Sequence, residues 1–336
     1  MSAAANDLRH MDHALRLARR GLGNVWPNPA VGCVIVAAGR VVGRGWTQPG
    51  GRPHAERMAL DAAGAAARGA TAYVTLEPCA HHGRAPPCSD ALVAAGVARV
   101  VSALTDPDPR VAGRGHARLR EAGIEVVEGV RAGPAGELQR GFLSRVTQGR
   151  PMVTLKLATS FDGRIATASG ESRWITGEAA RRHVHLLRLT HDAVMVGAGT
   201  ARADLPALNV RGFGPVRQPV RVVMANAPIP ALPPEGPDHG PLWVLPGPLP
   251  EALAELARRG LTRVFCEGGG RLAAALLAAG LVDELVGYTA GVVLGGDGRA
   301  AVAPMGLGAL AEAPRFRLAE TRALGGDVFH RWLALR

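Results

Sequence analysis

The chain has 336 residues, 47% of them apolar and 20% charged, with four cysteines and a formal charge of +11; that length exceeds one ordinary core and suits two domains. No apolar run approaches the ~18 residues of a membrane helix, the N-terminus lacks a signal peptide's apolar stretch, and four cysteines make no disulfide scaffold, so a reducing cytoplasm is the expected setting. The positive surplus is arginine scattered along the chain with few aromatics beside it, and Lys156 is the only lysine, so it reads as compositional bias compatible with anionic small substrates, and no nucleic-acid or membrane partner is expected.

In chain order, apolar positions at helical spacing over 7–21 predict a helix, and "AVGCVIVAAGRVVGRGW" predicts a hairpin turning at Ala38-Gly39. The alanine-rich "PHAERMALDAAGAAARGA" predicts a helix closed by Gly69, and "ATAYVTLEP" a buried strand. A helix over 89–95, the strand "RVVSAL", the helix "GHARLREAG" and the strand "IEVVEGV" complete an open α/β sheet with helices on both faces. After a boundary at about 145–150, "MVTLKLATS", "DAVMVGAG", "VRVVMA", "LWVLPG" and "TRVFCEGGG" predict strands. The segments "GEAARRHVHLLRLT" and "ALAELARRG" predict helices between them, and the proline-rich stretch 227–241 reads as a surface loop without an assignable role.

The chemistry concentrates at "PHAE" and "EPCAHHGRAPPC". His54, Cys79 and Cys88 supply three zinc ligands, leaving a fourth position for water, which distinguishes a catalytic site from a closed structural one. Zinc lowers the pKa of such a water to about 7, and Glu56, needed by no ligand shell, is placed to carry protons from it to a leaving group. That combination removes an exocyclic amine from a pyrimidine-like ring. His54 and Glu56 fall in the first turn of one predicted helix and Cys88 in the first turn of the next, where a helix N-terminus favours a thiolate.

The wider pattern resembles the riboflavin-pathway deaminases, through the long "CAHHGRAPPC" spacing, "WPNPAVGCVIV" at Trp26–Val36 and "DPDPRVAGRGHARLREAGIEV". The resemblance implies a cytidine-deaminase-like three-layer domain over 1–147, with Asn28 and one of His81 or His82 on the pyrimidine or the ribosyl phosphate. In that family a dihydrofolate-reductase-like α/β reductase domain follows, here 148–336. Its marks are "LKLATSFDGRIATASGESRWITG", "GAGTARADLPALNVR" and "CEGGGRLAAALLAAGLVDEL". Carried over position by position, contacts to NADPH fall on Ala158, Trp174, Thr200, Asp204, Asn226 and Gly269. Contacts to substrate fall on Ser172, Arg188, Leu208, Arg211 and Glu267; Lys156 is either a substrate contact or a chance survivor of the lysine depletion. Leu205 and Asp108 depart from the family, which usually has Asp and Asn there.

The resemblance implies a bifunctional enzyme of riboflavin biosynthesis, deaminating a phosphorylated diaminopyrimidine and then reducing its ribosyl group, with self-association through the reductase domain. Two rivals stand beside it: a deaminase of nucleic-acid bases, and a zinc-stabilised binding module with a degenerate second half.

Overall fold

A computed structural model describes residues 3–81 and 86–335. The chain divides into two compact units, Met1–Gly149 and Arg150–Arg336.

The first unit runs α1 (Ala3–Ala18), β1 (Gly32–Ala37), β2 (Arg40–Trp46), α2 (Ala55–Ala63), β3 (Thr71–Val74), α3 (Cys88–Ala94), β4 (Arg99–Ser102), α4 (Arg114–Glu121), β5 (Glu125–Val127) and α5 (Ala132–Gln148). Its sheet has the order β2-β1-β3-β4-β5, antiparallel through β1 and parallel from β3 to β5. Alternate residues of the strands feed two cores. Cys33, Ile35, Ala72, Val74 and Val100 meet α2, α3 and α4 on one face. Val34, Val36, Tyr73 and Val101 meet α1 and the start of α5 on the other. Both faces are therefore buried, which is why these strands read as unbroken apolar runs.

Helix α5 is not anticipated by the sequence pattern, because Gly133, Pro134 and Gly136 give its opening the composition of a turn. Proline is tolerated in a first helical turn, where its missing N–H would have no partner anyway, and the apolar face of Ala135, Leu138 and Phe142 is buried.

Two glycines decide how closely α2 lies on the sheet. A Cβ on Gly43 would stand 2.1 Å from the carbonyl oxygen of Ala59, and one on Gly45 would stand 2.1 Å from that of Ala55. With no Cβ, β2 lets the backbone of α2 rest directly on it, and this fixes the depth of the helix start that carries His54 and Glu56.

The second unit contains β6 (Met152–Thr159), β7 (Arg164–Ala166), α6 (Glu178–Leu189), β8 (Ala193–Gly197), α7 (Ala198–Asp204), β9 (Val220–Met224), β10 (Leu242–Leu245) and α8 (Leu249–Arg258). Then come β11 (Arg263–Cys266), α9 (Gly270–Ala278), β12 (Glu284–Ala290), β13 (Arg299–Ala300), β14 (Phe316–Leu324) and β15 (Asp327–Ala334). Eight strands form one sheet in the order β10-β9-β8-β11-β6-β12-β15-β14. It is parallel from β10 to β12 and closes with two antiparallel strands. Strands β12, β14 and β15 were not among the elements read from sequence. The parallel strands put their carboxyl ends on one edge, and in open α/β sheets that edge holds the ligand crevice. Among the described residues no helix is long and apolar enough to cross a membrane.

Candidate active sites

In the first unit the three expected ligands converge. His54 is the residue preceding α2, in extended conformation, and Cys88 opens α3. Their donor atoms and the Cys79 sulfur all lie within 4.8 Å of one another. The His54 Nδ1 stands 3.7 Å from Cys79 Sγ and 3.4 Å from Cys88 Sγ. A tetrahedral zinc with ordinary Zn–S and Zn–N bonds would hold sulfur and nitrogen about 3.5 Å apart. All four cysteines are free thiols. One imidazole and two unbridged sulfurs at this spacing thus fit zinc.

The electrostatics agree with a cation-seeking site. The hydrogen bond from Cys88, helped by His54, pulls the Cys79 thiol down to about 4, so this sulfur is held as the thiolate. Cys88 is pushed the other way, by its bond to Cys79 and by burial. The contact with Cys79 raises His54. Glu56, 3% exposed on the first turn of α2, is lifted to about 7 by burial and then by the charge on Cys79.

The N-terminus of α3 acts on a different sulfur from the one expected. Its first-turn amides point back towards the incoming chain, where Cys79 lies. The Cys88 amide donates to Cys79 Sγ at 3.4 Å, and the Ser89 amide donates to the Cys79 carbonyl at 3.2 Å.

Sequence reasoning passed over Glu77, two residues before Cys79. Its buried carboxylate accepts the amides of Asp106, Gly113, Gly115 and His116 at 2.8–3.2 Å. Beside it, a Cβ on Gly115 would lie 1.9 Å from the Pro78 carbonyl oxygen. Glu77, Pro78 and Cys79 are therefore clamped one after another. The signal was a carboxylate inside an otherwise apolar strand end, a position that demands several donors. Asn28 sits before β1 and donates from Nδ2 to the Gly51 carbonyl at 2.7 Å. His81 is half-buried, and its alternative, His82, lies outside the described residues.

In the second unit, Lys156 on β6, Arg188 on α6 and Glu267 after β11 come together. Arg188 clasps Glu267 with both prongs, Nε at 2.5 Å and a terminal nitrogen at 3.0 Å. The Lys156 ammonium stands 4.0 Å away. Burial alone would raise the Glu267 carboxyl, but Arg188 and Lys156 hold it below its ordinary value. Burial, and then Arg188, lower Lys156. Leu208 and Arg211 lie alongside: the remaining Arg188 nitrogen donates to the Asn209 carbonyl at 2.6 Å, and the Arg211 amide donates to His185 Nδ1 at 3.2 Å. His185, also not anticipated, is brought down to about 4 by burial and by the two arginines, so its imidazole is neutral.

The expected cofactor residues are less tightly grouped. Gly269 precedes α9 and its amide donates to Thr200 Oγ1 at 3.3 Å, while a Cβ on Gly199 would meet nothing within 4 Å. A helix N-terminus beside open space suits a pyrophosphate. Ala158 lies on β6 facing the α6 core, and Asp204 ends α7. Asn226 accepts the Gly247 amide at 2.7 Å. Trp174 is 68% exposed under the Arg181 guanidinium, 4.7 Å from its ring, and Ser172 is exposed.

Leu205 carries one departure from the expected pattern at a visible cost. It follows α7 in the left-handed region, φ 43° and ψ 53°, where a leucine is disfavoured and asparagine tolerated. Its side chain is 53% exposed, so little packing offsets the strain. Leu205→Asn is expected to stabilise the chain by about 0.5–1 kcal/mol, read as a higher denaturant midpoint at unchanged m-value. A lower midpoint would refute the strain.

A thiol–imidazole triad beside a buried carboxylate gives the first unit the site of a zinc-dependent deaminase, and an open sheet with a basic–acidic cluster gives the second an α/β site suited to an anionic ligand. Comparison with known proteins agrees. Residues 4–104 match the cytidine and deoxycytidylate deaminase zinc-binding region, and residues 151–330 match the RibD C-terminal domain. The chain belongs to the RibD family of riboflavin biosynthesis proteins. It is 46% identical to riboflavin biosynthesis protein RibD of Escherichia coli (strain K12), over 96% of this chain and 98% of that one. Among solved structures, Acinetobacter baumannii RibD superposes with a TM-score of 0.89 at 40% identity, covering 99% of this chain and all of the other. A deaminase/reductase from Thermotoga maritima superposes with a TM-score of 0.88 at 34% identity, covering 99% and 100% of the two chains.

Proposed function

We propose that residues 1–147 deaminate 2,5-diamino-6-(5-phosphoribosylamino)pyrimidin-4(3H)-one and that residues 148–336 reduce the ribosyl group of the resulting uracil to ribityl with NADPH. The observation that carries the first half is the convergence of His54, Cys79 and Cys88 beside Glu56. In this reading the three donors hold zinc, which when bound supplies an activated water at neutral pH. Glu56, buried and raised towards neutrality, takes up a proton on one oxygen and returns it to the departing amine as ammonia leaves. Asn28 and His81 orient the substrate on the rim.

For the second half, Arg211 meets the ribose phosphate, a task suited to a planar guanidinium fork, and Arg188, already held by Glu267 and the Asn209 carbonyl, adds its positive charge beside it. Lys156 and Glu267 face the sugar oxygens, joined by Ser172 and Leu208. Ala158, Trp174, Thr200, Asp204, Asn226 and Gly269 would hold NADPH, which when bound would supply the hydride for the sugar C1 as the bond from C1 to the ring oxygen opens and that oxygen takes a proton from solvent. Positioning the two reactants supplies much of the rate, so no nucleophile is required. The four free thiols support a reducing, cytoplasmic setting, and the reductase domain is the expected surface of self-association.

One assay tests the whole reading. The protein is incubated with the diaminopyrimidine ribotide and NADPH, and ammonia and nicotinamide absorbance are followed together. Ammonia release followed by equimolar NADPH oxidation is expected; ammonia without oxidation sinks the second half, and neither signal sinks both.

A further inference from the structure

The proline-rich segment 227–241 is fastened to the sheet by Arg221 of β9, a side chain only 1% exposed. Its Nε donates to the Gly240 carbonyl at 2.8 Å and a terminal nitrogen donates to the Pro233 carbonyl at 2.6 Å. The Arg221 amide adds a bond to the Pro241 carbonyl at 2.8 Å. A guanidinium at this depth is tolerated only when hydrogen-bonded, so the loop and the arginine hold each other in place. Near the loop's tip, paired main-chain bonds between Gly236 and His239, at 2.9 and 3.1 Å, make a tight turn. That turn presents the Asp238 carbonyl to Asn209 Nδ2 at 3.0 Å.

Asn209, 5% exposed, is the middle of the arm 208–211. Its own carbonyl receives Arg188, Val210 is bracketed by the Gln218 side-chain amide at 2.8 and 3.2 Å, and the Arg211 amide goes to His185. The arm is thus held by α6 on one side and by the proline-rich loop on the other, and the Asn209 side chain makes the link to that loop.

We propose that the loop, anchored by Arg221, is a buttress for the substrate arm of the reductase, and that Asn209 is the positioning residue through which it acts. This rests on the reading of Arg188, Leu208, Arg211 and Glu267 as contacts to the phosphorylated ribose. Arg211 and the charge of Arg188 hold a phosphate well only at a fixed separation. An arm released from the loop would have to be ordered on each binding event, which weakens binding without altering the reacting atoms.

Asn209→Asp tests it, because the side chain keeps its size, loses its donor and sets a carboxylate against the Asp238 carbonyl. The reductase KM for the uracil ribotide is expected to rise about tenfold, the scale of one lost hydrogen bond, with kcat nearly unchanged and deaminase turnover intact. Hydrogen exchange of 230–240 is expected to slow when the uracil ribotide binds the parent protein and not to slow in Asn209→Asp, since the coupling is reciprocal. Asp238→Ala, which keeps the accepting carbonyl, is expected to match the parent. Arg221→Lys provides a second route to the same KM rise should Asn209→Asp fold poorly. A parental KM in both Asn209→Asp and Arg221→Lys overturns the buttress. Arg188→Met separates the two ideas: a raised KM there with none in either Asn209→Asp or Arg221→Lys sinks only the buttress, whereas a parental KM in Arg188→Met sinks the substrate site on which it rests.

Discussion

Glu56→Gln is expected to cut ammonia release by about a thousandfold or more, within the range that a positioned proton carrier contributes, while zinc content and reduction of the uracil ribotide stay at parental values. The amide has the shape of the carboxyl and cannot take up a proton. Folding should not suffer. Glu56 is buried and the amide replaces its carboxyl at equal size, so the melting temperature is expected to hold, as often happens when a functional residue is replaced. Parallel measurements of ammonia, bound zinc and NADPH oxidation decide it. Deamination at the parental rate would end the role assigned to Glu56, and loss of zinc together with activity would recast it as a ligand.

The second large effect is expected from removing the metal. Dialysis against a strong chelator should abolish deamination and leave reduction of the uracil ribotide unchanged, with the first activity returning on addition of zinc. Cys79→Ser should reproduce the loss without recovery, since Cys79 is the sulfur that Cys88 and His54 hold as a thiolate. Zinc binding should also protect the folded chain, by about 2.7 kcal/mol when free zinc stands at a hundred times its Kd. A protein that deaminates with no metal bound, or a Cys79→Ser variant with full zinc content, would contradict the ligand set.

Most strands of the first unit and the parallel strands up to β11 were legible because each is an apolar run bounded by glycine or polar turns, and burial on both faces demands such runs. Helix α5 and the strands after residue 283 were not. The first is masked by the glycines and proline of its opening turn. Among the others, β14 interleaves charged with apolar residues, as in "RFRLAETRAL", and β12 runs straight on from the apolar helix and turn before it, so their pairing is a tertiary matter. The same division runs through the sites. His54, Glu56, Cys79 and Cys88 announce themselves because zinc chemistry requires particular residue types at restricted spacings. Glu77, His185 and Asn209 do not, because a carboxylate, an imidazole or an amide acquires its role from the amides and carbonyls that folding brings to it.

By itself, then, the sequence determined the family, the order of the two domains and the residue set proposed to hold the metal, since chemistry is written in side-chain identity. Which sulfur receives the Cys88 amide, how deeply α2 settles against β2, and what the proline-rich loop supports were decided only by the tertiary structure. These depend on backbone hydrogen bonds and on contacts closer than a Cβ would allow, and neither leaves a local mark on the chain.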